Sequence, residues 1–151
     1  NDLPKASYHA FRLLAGHAGQ RVALRWPAAS PGLGGYASYD QQTLRVTLFN
    51  CREPDQPATA ASFPLAALLA VGGKVVRVTR IMPGHGSAYE TWVEAGRPSF
   101  ANRELLAVLE RASRPQIKHL ALSRDSGEIM VPSGTMVQFT VPLVEWTGPV
   151  A

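Results

Sequence analysis

This sequence predicts a mainly β chain: an antiparallel β-sandwich entered by one N-terminal helix and interrupted by one or two short helices. Three observations carry that reading. From Gln20 onward apolar residues alternate with polar or small ones, as in Val22, Leu24 and Trp26, then Leu44, Val46 and Leu48, then Val137, Phe139 and Val141. Clusters of Gly, Pro and Asp punctuate these runs about every eight to twelve residues, the rhythm of short sandwich strands. Ahead of them Tyr8, Phe11, Leu14 and Ala15 recur at helical spacing, and the pattern stops at Gly16.

Taken in order, Asp2 and Pro4 open a helix over residues 5–15, with Pro near the permissive first turn and Gly16 at the end. A strand carrying Val22, Leu24 and Trp26 is ended by Pro27, and residues 28–35 read as loop from their Gly, Ser and Pro. A short strand over 36–39, a turn at Asp40-Gln41-Gln42 and a return over 43–49 make a hairpin, closed by a turn-rich break from Asn50 to Asp55. Residues 59–64 read as a strand despite their Ala content, because Pro64 blocks a long helix, and a single-turn segment runs to Val71. Gly72-Gly73 turns into a strand over 74–82 with Val76 and Val78 on one side. A helix capped by Ala101 or Asn102 runs to Ala112, with Leu105, Leu106, Val108 and Leu109 as its buried stripe. Three strands close the chain, over 118–123, 128–131 and 135–144, the second expected to pair back on the first across Asp125-Ser126-Gly127.

Between the strand over 74–82 and that helix lies the segment the chain is arranged around. It breaks at Pro83-Gly84, passes His85-Gly86, carries Tyr89 and Trp92 on a short helix, and stops at Gly96-Arg97-Pro98. Ser87 is placed to cap that helix with Glu90 three residues on, and Gly96 suits a left-handed helix end. Tyr89 and Trp92, three apart, share a face. Such a pair either plugs the segment onto a core or forms a sugar-stacking platform. His85, in a Gly-flanked loop, either braces the loop through its ring nitrogens or hydrogen-bonds a sugar or a neighbouring domain.

The run formed by His85, Gly86, Ser87, Ala88, Tyr89, Trp92, Gly96 and Pro98 resembles a segment of glycoside hydrolase family 39, the β-xylosidase and α-L-iduronidase group. There it lies in the β-sandwich domain after the catalytic barrel. Many relatives have an acidic residue where this chain has Ile81-Met82-Pro83, and often Asn at the position of Ser87. The stretch from Leu3 to Leu14 resembles the family's last barrel helix, Asn50 falls on its Asn after a strand, and the closing strand resembles its closing strand.

The resemblance implies that residues 1–17 are the last helix of a TIM-barrel catalytic domain and that 18–151 are a β-sandwich accessory domain. The expected function is that of a non-catalytic C-terminal domain of a β-D-xylosidase, a retaining glycosidase. Its implied partner is the catalytic (β/α)8 barrel of the same parent chain, with xylo-oligosaccharide as a second, and no cofactor. The apolar face of the first helix should then stand exposed. From a different class come a carbohydrate-binding module, with Trp26, Trp92 or Trp146 as platforms, and a structural or interaction domain.

Composition narrows the field. A chain of 151 residues with 46% hydrophobic and 17% charged residues is one globular domain by size. No apolar run approaches the ~18 residues of a membrane helix, and the start lacks a basic region followed by an apolar stretch. Asn1 rather than Met leads the sequence, which reads as a processed chain or, the favoured expectation, a piece of a longer one. Net charge is +4, but the arginines are scattered, so no basic footprint for nucleic acid exists. The one cysteine, Cys51, has no bridging partner and reads as a packed small residue.

Retaining glycoside hydrolysis needs two carboxyls about 5 Å apart. The family's acid/base glutamate follows an asparagine, and no Asn-Glu pair occurs here. Most acids fall in turns or on polar helix faces, and Glu90 and Glu94, four apart, read as solvated neighbours. His9, His17, His85 and His119 have no zinc-helix spacing, so no metal site is expected. No catalytic residue is assigned; His85, Tyr89 and Trp92 are the candidates for contact with a sugar.

Overall fold

The computed structural model describes residues 3–24, 32–51, 60–69 and 74–143. Nine strands are described: β1 (Gln20–Val22), β2 (Leu33–Tyr39), β3 (Thr43–Asn50), β4 (Ala61–Pro64), β5 (Val75–Pro83), β6 (Gly86–Ser87), β7 (Gln116–Ala121), β8 (Glu128–Val131) and β9 (Thr135–Pro142). The helices are α1 (Ala6–Ala15), α2 (Ala66–Leu69), α3 (Tyr89–Glu94) and α4 (Arg103–Ala112). The large sheet runs β1-β2-β3-β9-β5, with β7 on the far side of β5 and the two residues of β6 beside its end. Its pairings are antiparallel except for the contact of β6 with Met82 and Pro83. β4 and β8 form a second, two-stranded antiparallel sheet.

The expected antiparallel sandwich is therefore found. Period two sends Leu44, Val46 and Leu48 of β3 and Val137, Phe139 and Val141 of β9 to one face. In register, Val46 faces Phe139 and Leu48 faces Val137. The small sheet lies over them, with Ile129 and Val131 buried and Phe63 stacked on Phe139 at 5.4 Å. Burying an aromatic or branched side chain contributes about 1.5–3 kcal/mol each, so this layer holds the fold.

Two expectations about pairing change. Residues 128–131 do not pair back on the preceding strand: β7 pairs with β5, and β8 with β4. Ile129 and Val131 explain it, because pairing with β4 carries both into the core, 5% and 0% exposed. The strand expected over 36–39 begins earlier, at Leu33. Gly34 and Gly35, read as loop, pair with Phe49 and Leu48.

The hairpin at Asp40 forms as read. Oδ1 accepts from the Gln42 and Thr43 amides at 2.9 and 2.7 Å, and Oδ2 pairs with Arg45 at 2.9 Å. These bonds, led by the Gln42 amide, hold the Asp40 carboxyl below the usual carboxylate range. Helix α4 starts on Asn102, whose Oδ1 accepts from the Leu105 amide at 2.8 Å. Its expected stripe is only part buried: Leu109 is covered, while Leu106 and Val108 are exposed. Cys51, expected to pack, is exposed. Asp2, Trp26, Pro27, the Gly72-Gly73 turn, Val144 and Trp146 lie outside the described residues.

Candidate functional site

The other face of the large sheet is polar, and α1 crosses it. Ser38, Thr47, Thr79 and Gln138 point there and are nearly fully buried. Gln138 donates to the Leu13 carbonyl and to Thr47 Oγ1, each at 2.9 Å. Just past the helix, His17 bridges Ser38 Oγ and Thr47 Oγ1, at 2.7 Å each. His9, 7% exposed, donates from Nε2 to the Ser113 carbonyl at the end of α4, 2.7 Å away. The helix is thus tied inward by hydrogen bonds, and its aromatic stripe faces out. Tyr8 is 54% exposed, Phe11 73% and Leu14 38%.

Sequence reasoning missed this arrangement, although a signal existed. His9, Leu13 and His17 recur at four-residue spacing on the side opposite Phe11.

The second feature is built on the segment after β5. Gly84 turns with φ +74, and Met82 and His85 exchange backbone bonds at 2.8 Å. Gly86 follows with φ +81, where a Cβ would press on the Ile81 side chain at 3.2 Å. Ser87 does not cap α3 as expected. The residue preceding the helix is Ala88, and Ser87 Oγ instead donates to Glu90 Oε2 at 2.7 Å, side chain to side chain. The helix closes as read: Gly96 has φ +84, its amide bonds Val93 O at 2.9 Å, and the Arg97 amide bonds Trp92 O at 3.0 Å.

Tyr89 and Trp92 are brought together, their ring centroids 6.0 Å apart and their planes tilted by 41°. Trp92 donates from its indole nitrogen to the Pro98 carbonyl at 3.1 Å, and Tyr89 stands 61% exposed. Both line a groove of about 620 Å³. Leu3 and Pro4 ahead of α1 form one wall, and Leu106 and Leu109 of α4 another. His85 does not line this groove. Its ring is exposed and, among the described residues, has no hydrogen-bond partner; its backbone braces the loop.

The described carboxylates do not build a comparable feature. Glu94, Glu104, Glu110, Asp125 and Glu128 are exposed, Glu90 is held by Ser87, and Asp40 belongs to its turn. Among the described residues no group of three or more His, Cys, Asp and Glu gathers as a metal site. Nor is any described helix long and apolar enough to cross a membrane.

No family model matches the chain. Among curated proteins it is similar to a β-xylosidase of Caldicellulosiruptor saccharolyticus, 26% identical over 113 residues, which are 75% of this chain and 23% of that protein. Among solved structures it is similar to a monomeric β-xylosidase from Caulobacter crescentus CB15, with TM-score 0.63 and 18% identity, covering 91% of this chain and 30% of that one. A GH39 enzyme from Xanthomonas axonopodis pv. citri matches with TM-score 0.60, 18% identity and the same coverages of 91% and 30%. The chain spans less than a third of the length of these relatives. The resemblance to these enzymes is borne out at the level of the fold: this chain has the fold of the part of these β-xylosidase and GH39 structures that it covers.

Proposed function

We propose that this chain is the non-catalytic C-terminal β-sandwich of a longer β-D-xylosidase-like enzyme. Residues 1–17 are the last helix of its catalytic (β/α)8 barrel, and 18–151 are the accessory domain that supports it. The observation that carries this reading is the orientation of α1. A helix made only for this domain would turn Tyr8, Phe11 and Leu14 inward, whereas here they face away from the sheet and His9 lies beneath. An aromatic face left open in this way fits a surface covered by a further domain. The fraction of each relative that is matched supports the same view, since most of each lies outside the match.

The domain's contribution is then mechanical: it presents and braces the barrel, which would hold the carboxyl pair that cleaves the glycosidic bond. The coding sequence upstream of Asn1 tests the assignment. Several hundred residues of alternating strand and helix, with an Asn-Glu at a strand end, are expected there. The chain by itself should leave a chromogenic β-D-xyloside uncleaved, and turnover by it overturns the reading.

The exposed Tyr89 beside Trp92 favours one alternative, a carbohydrate-binding module. Calorimetric titration with xylo-oligosaccharides separates the two: heat at millimolar sugar supports the module, and none supports the accessory domain.

A further inference from the structure

We propose that His17 is an acid-sensitive latch: as a neutral imidazole it fastens the C-terminal end of α1 to the polar face of the large sheet, and protonation releases that end. The positions of the hydrogens follow from the contacts. Gln138 Nε2 uses both of its hydrogens, one on the Leu13 carbonyl and one on Thr47 Oγ1. Thr47, 0% exposed, has one hydrogen left to place, and His17 Nε2 lies 2.7 Å from its oxygen. Among the described residues no other side-chain acceptor is bonded to that hydrogen, so the hydroxyl is assigned as donor to Nε2, which then carries no proton. The imidazole proton sits on Nδ1 and goes to Ser38 Oγ, 2.7 Å away. His17, Thr47 and Gln138 are satisfied together only while His17 is neutral.

A second proton on Nε2 would make the Thr47 oxygen accept twice, from Gln138 and from His17, and the Thr47 hydrogen would lose its acceptor in a buried place. The surroundings act in the same direction. Arg45 of β3 is the register partner of Ser38, the edge of Tyr36 of β2 meets the ring at 4.7 Å, and Arg21 of β1 lies over that tyrosine at 5.5 Å. Asp40, the nearby carboxylate, is engaged with Arg45. Burial first, and the Arg45 guanidinium second, hold the imidazole below its ordinary range.

A histidine so depressed contributes stability that is complete above about pH 6.5 and is lost as the pH falls below it. His9 holds the first half of α1 by a separate bond, its Nε2 hydrogen donated to the Ser113 carbonyl. Protonation of His17 thus acts on the C-terminal end of α1, and the bond from His9 is no part of the latch. The latch belongs to this chain alone and does not depend on what covers the outer face of the helix.

The test is an NMR titration of the intact chain between about pH 8 and pH 5, following the His17 ring and amide exchange along α1. The expected result is that amides 13–17 lose protection with the midpoint at which His17 titrates, while β3 amides do not change. H17Q, neutral throughout, should abolish the transition, and H9Q should retain it. T47V, which keeps the imidazole but removes its hydrogen donor, should raise the His17 midpoint, and it decides the matter if H17Q fails to fold. Unchanged amides 13–17 while His17 titrates, or the same transition in H17Q, overturn the proposal.

Discussion

Single residues here act mostly where two layers meet. Asn50 ends β3 and donates from Nδ2 to the Val131 carbonyl at 2.8 Å, joining the large sheet to the small one. It is 3% exposed, so truncation leaves that carbonyl without its partner in a dry place. Asn50→Ala should cost about 1–3 kcal/mol, read as a lower urea midpoint. Gly19 is a second such position, for a backbone reason. Its φ is +77, and an added Cβ would sit 2.0 Å from the Tyr39 carbonyl oxygen. Gly19→Ala combines a left-handed conformation with a clash and should cost about 1–3 kcal/mol in the same measurement. Asp40 contributes on the acid side. Its depressed carboxyl contributes stability that is present above the ordinary aspartate range and lost as the pH falls through the folded value. Asp40→Asn should therefore lower the urea midpoint at neutral pH and flatten its decline in acid.

At the scale of elements, what was legible in the sequence depended on how local its cause is. The alternation in β3 and β9 was readable because each strand buries one face. The first half of β2 was not. Gly34 reads as loop, but its missing Cβ makes room for the Phe49 ring, which would be 2.2 Å away, and that contact spans two strands. The turn at Asp125-Ser126-Gly127 suggested a hairpin that long-range pairing overrides. The groove was half legible: Tyr89 and Trp92 share a face by spacing, but Leu3 and Leu106 reach it only through tertiary structure. Helix α1 was readable as amphipathic, while the polar stripe through His9, Leu13 and His17 went unread because histidines on a helix carry no strong prior. One contrast tests the element. Phe11→Glu in this chain should change stability by less than about 0.5 kcal/mol, since the ring is 73% exposed. Leu48→Ala, at 0% exposure in β3, should cost about 2–5 kcal/mol.

For the whole molecule, the question is where one structural unit stops and the next begins. The apolar core, with the partly buried side chains packed on it, runs from Val22 to Leu143 and includes no residue of α1. What α1 gives the sandwich is a set of hydrogen bonds: His9 to Ser113, Gln138 to Leu13, and His17 to Ser38 and Thr47. Removing residues 1–17 would uncover Ser38, Thr47 and Gln138, groups that water satisfies nearly as well as the helix does. A chain of residues 18–151 should therefore keep a cooperative unfolding transition, losing a few kcal/mol at about 1 for each of those four bonds. A core that needed α1 would instead yield a state with secondary structure but no fixed packing, seen as lost near-ultraviolet dichroism and dye binding. That outcome would put the helix inside the sandwich's own folding unit and would contradict a boundary after residue 17. Retained cooperativity, with Tyr8, Phe11 and Leu14 dispensable, would leave the helix without a reason inside this domain and place its reason in whatever covers it.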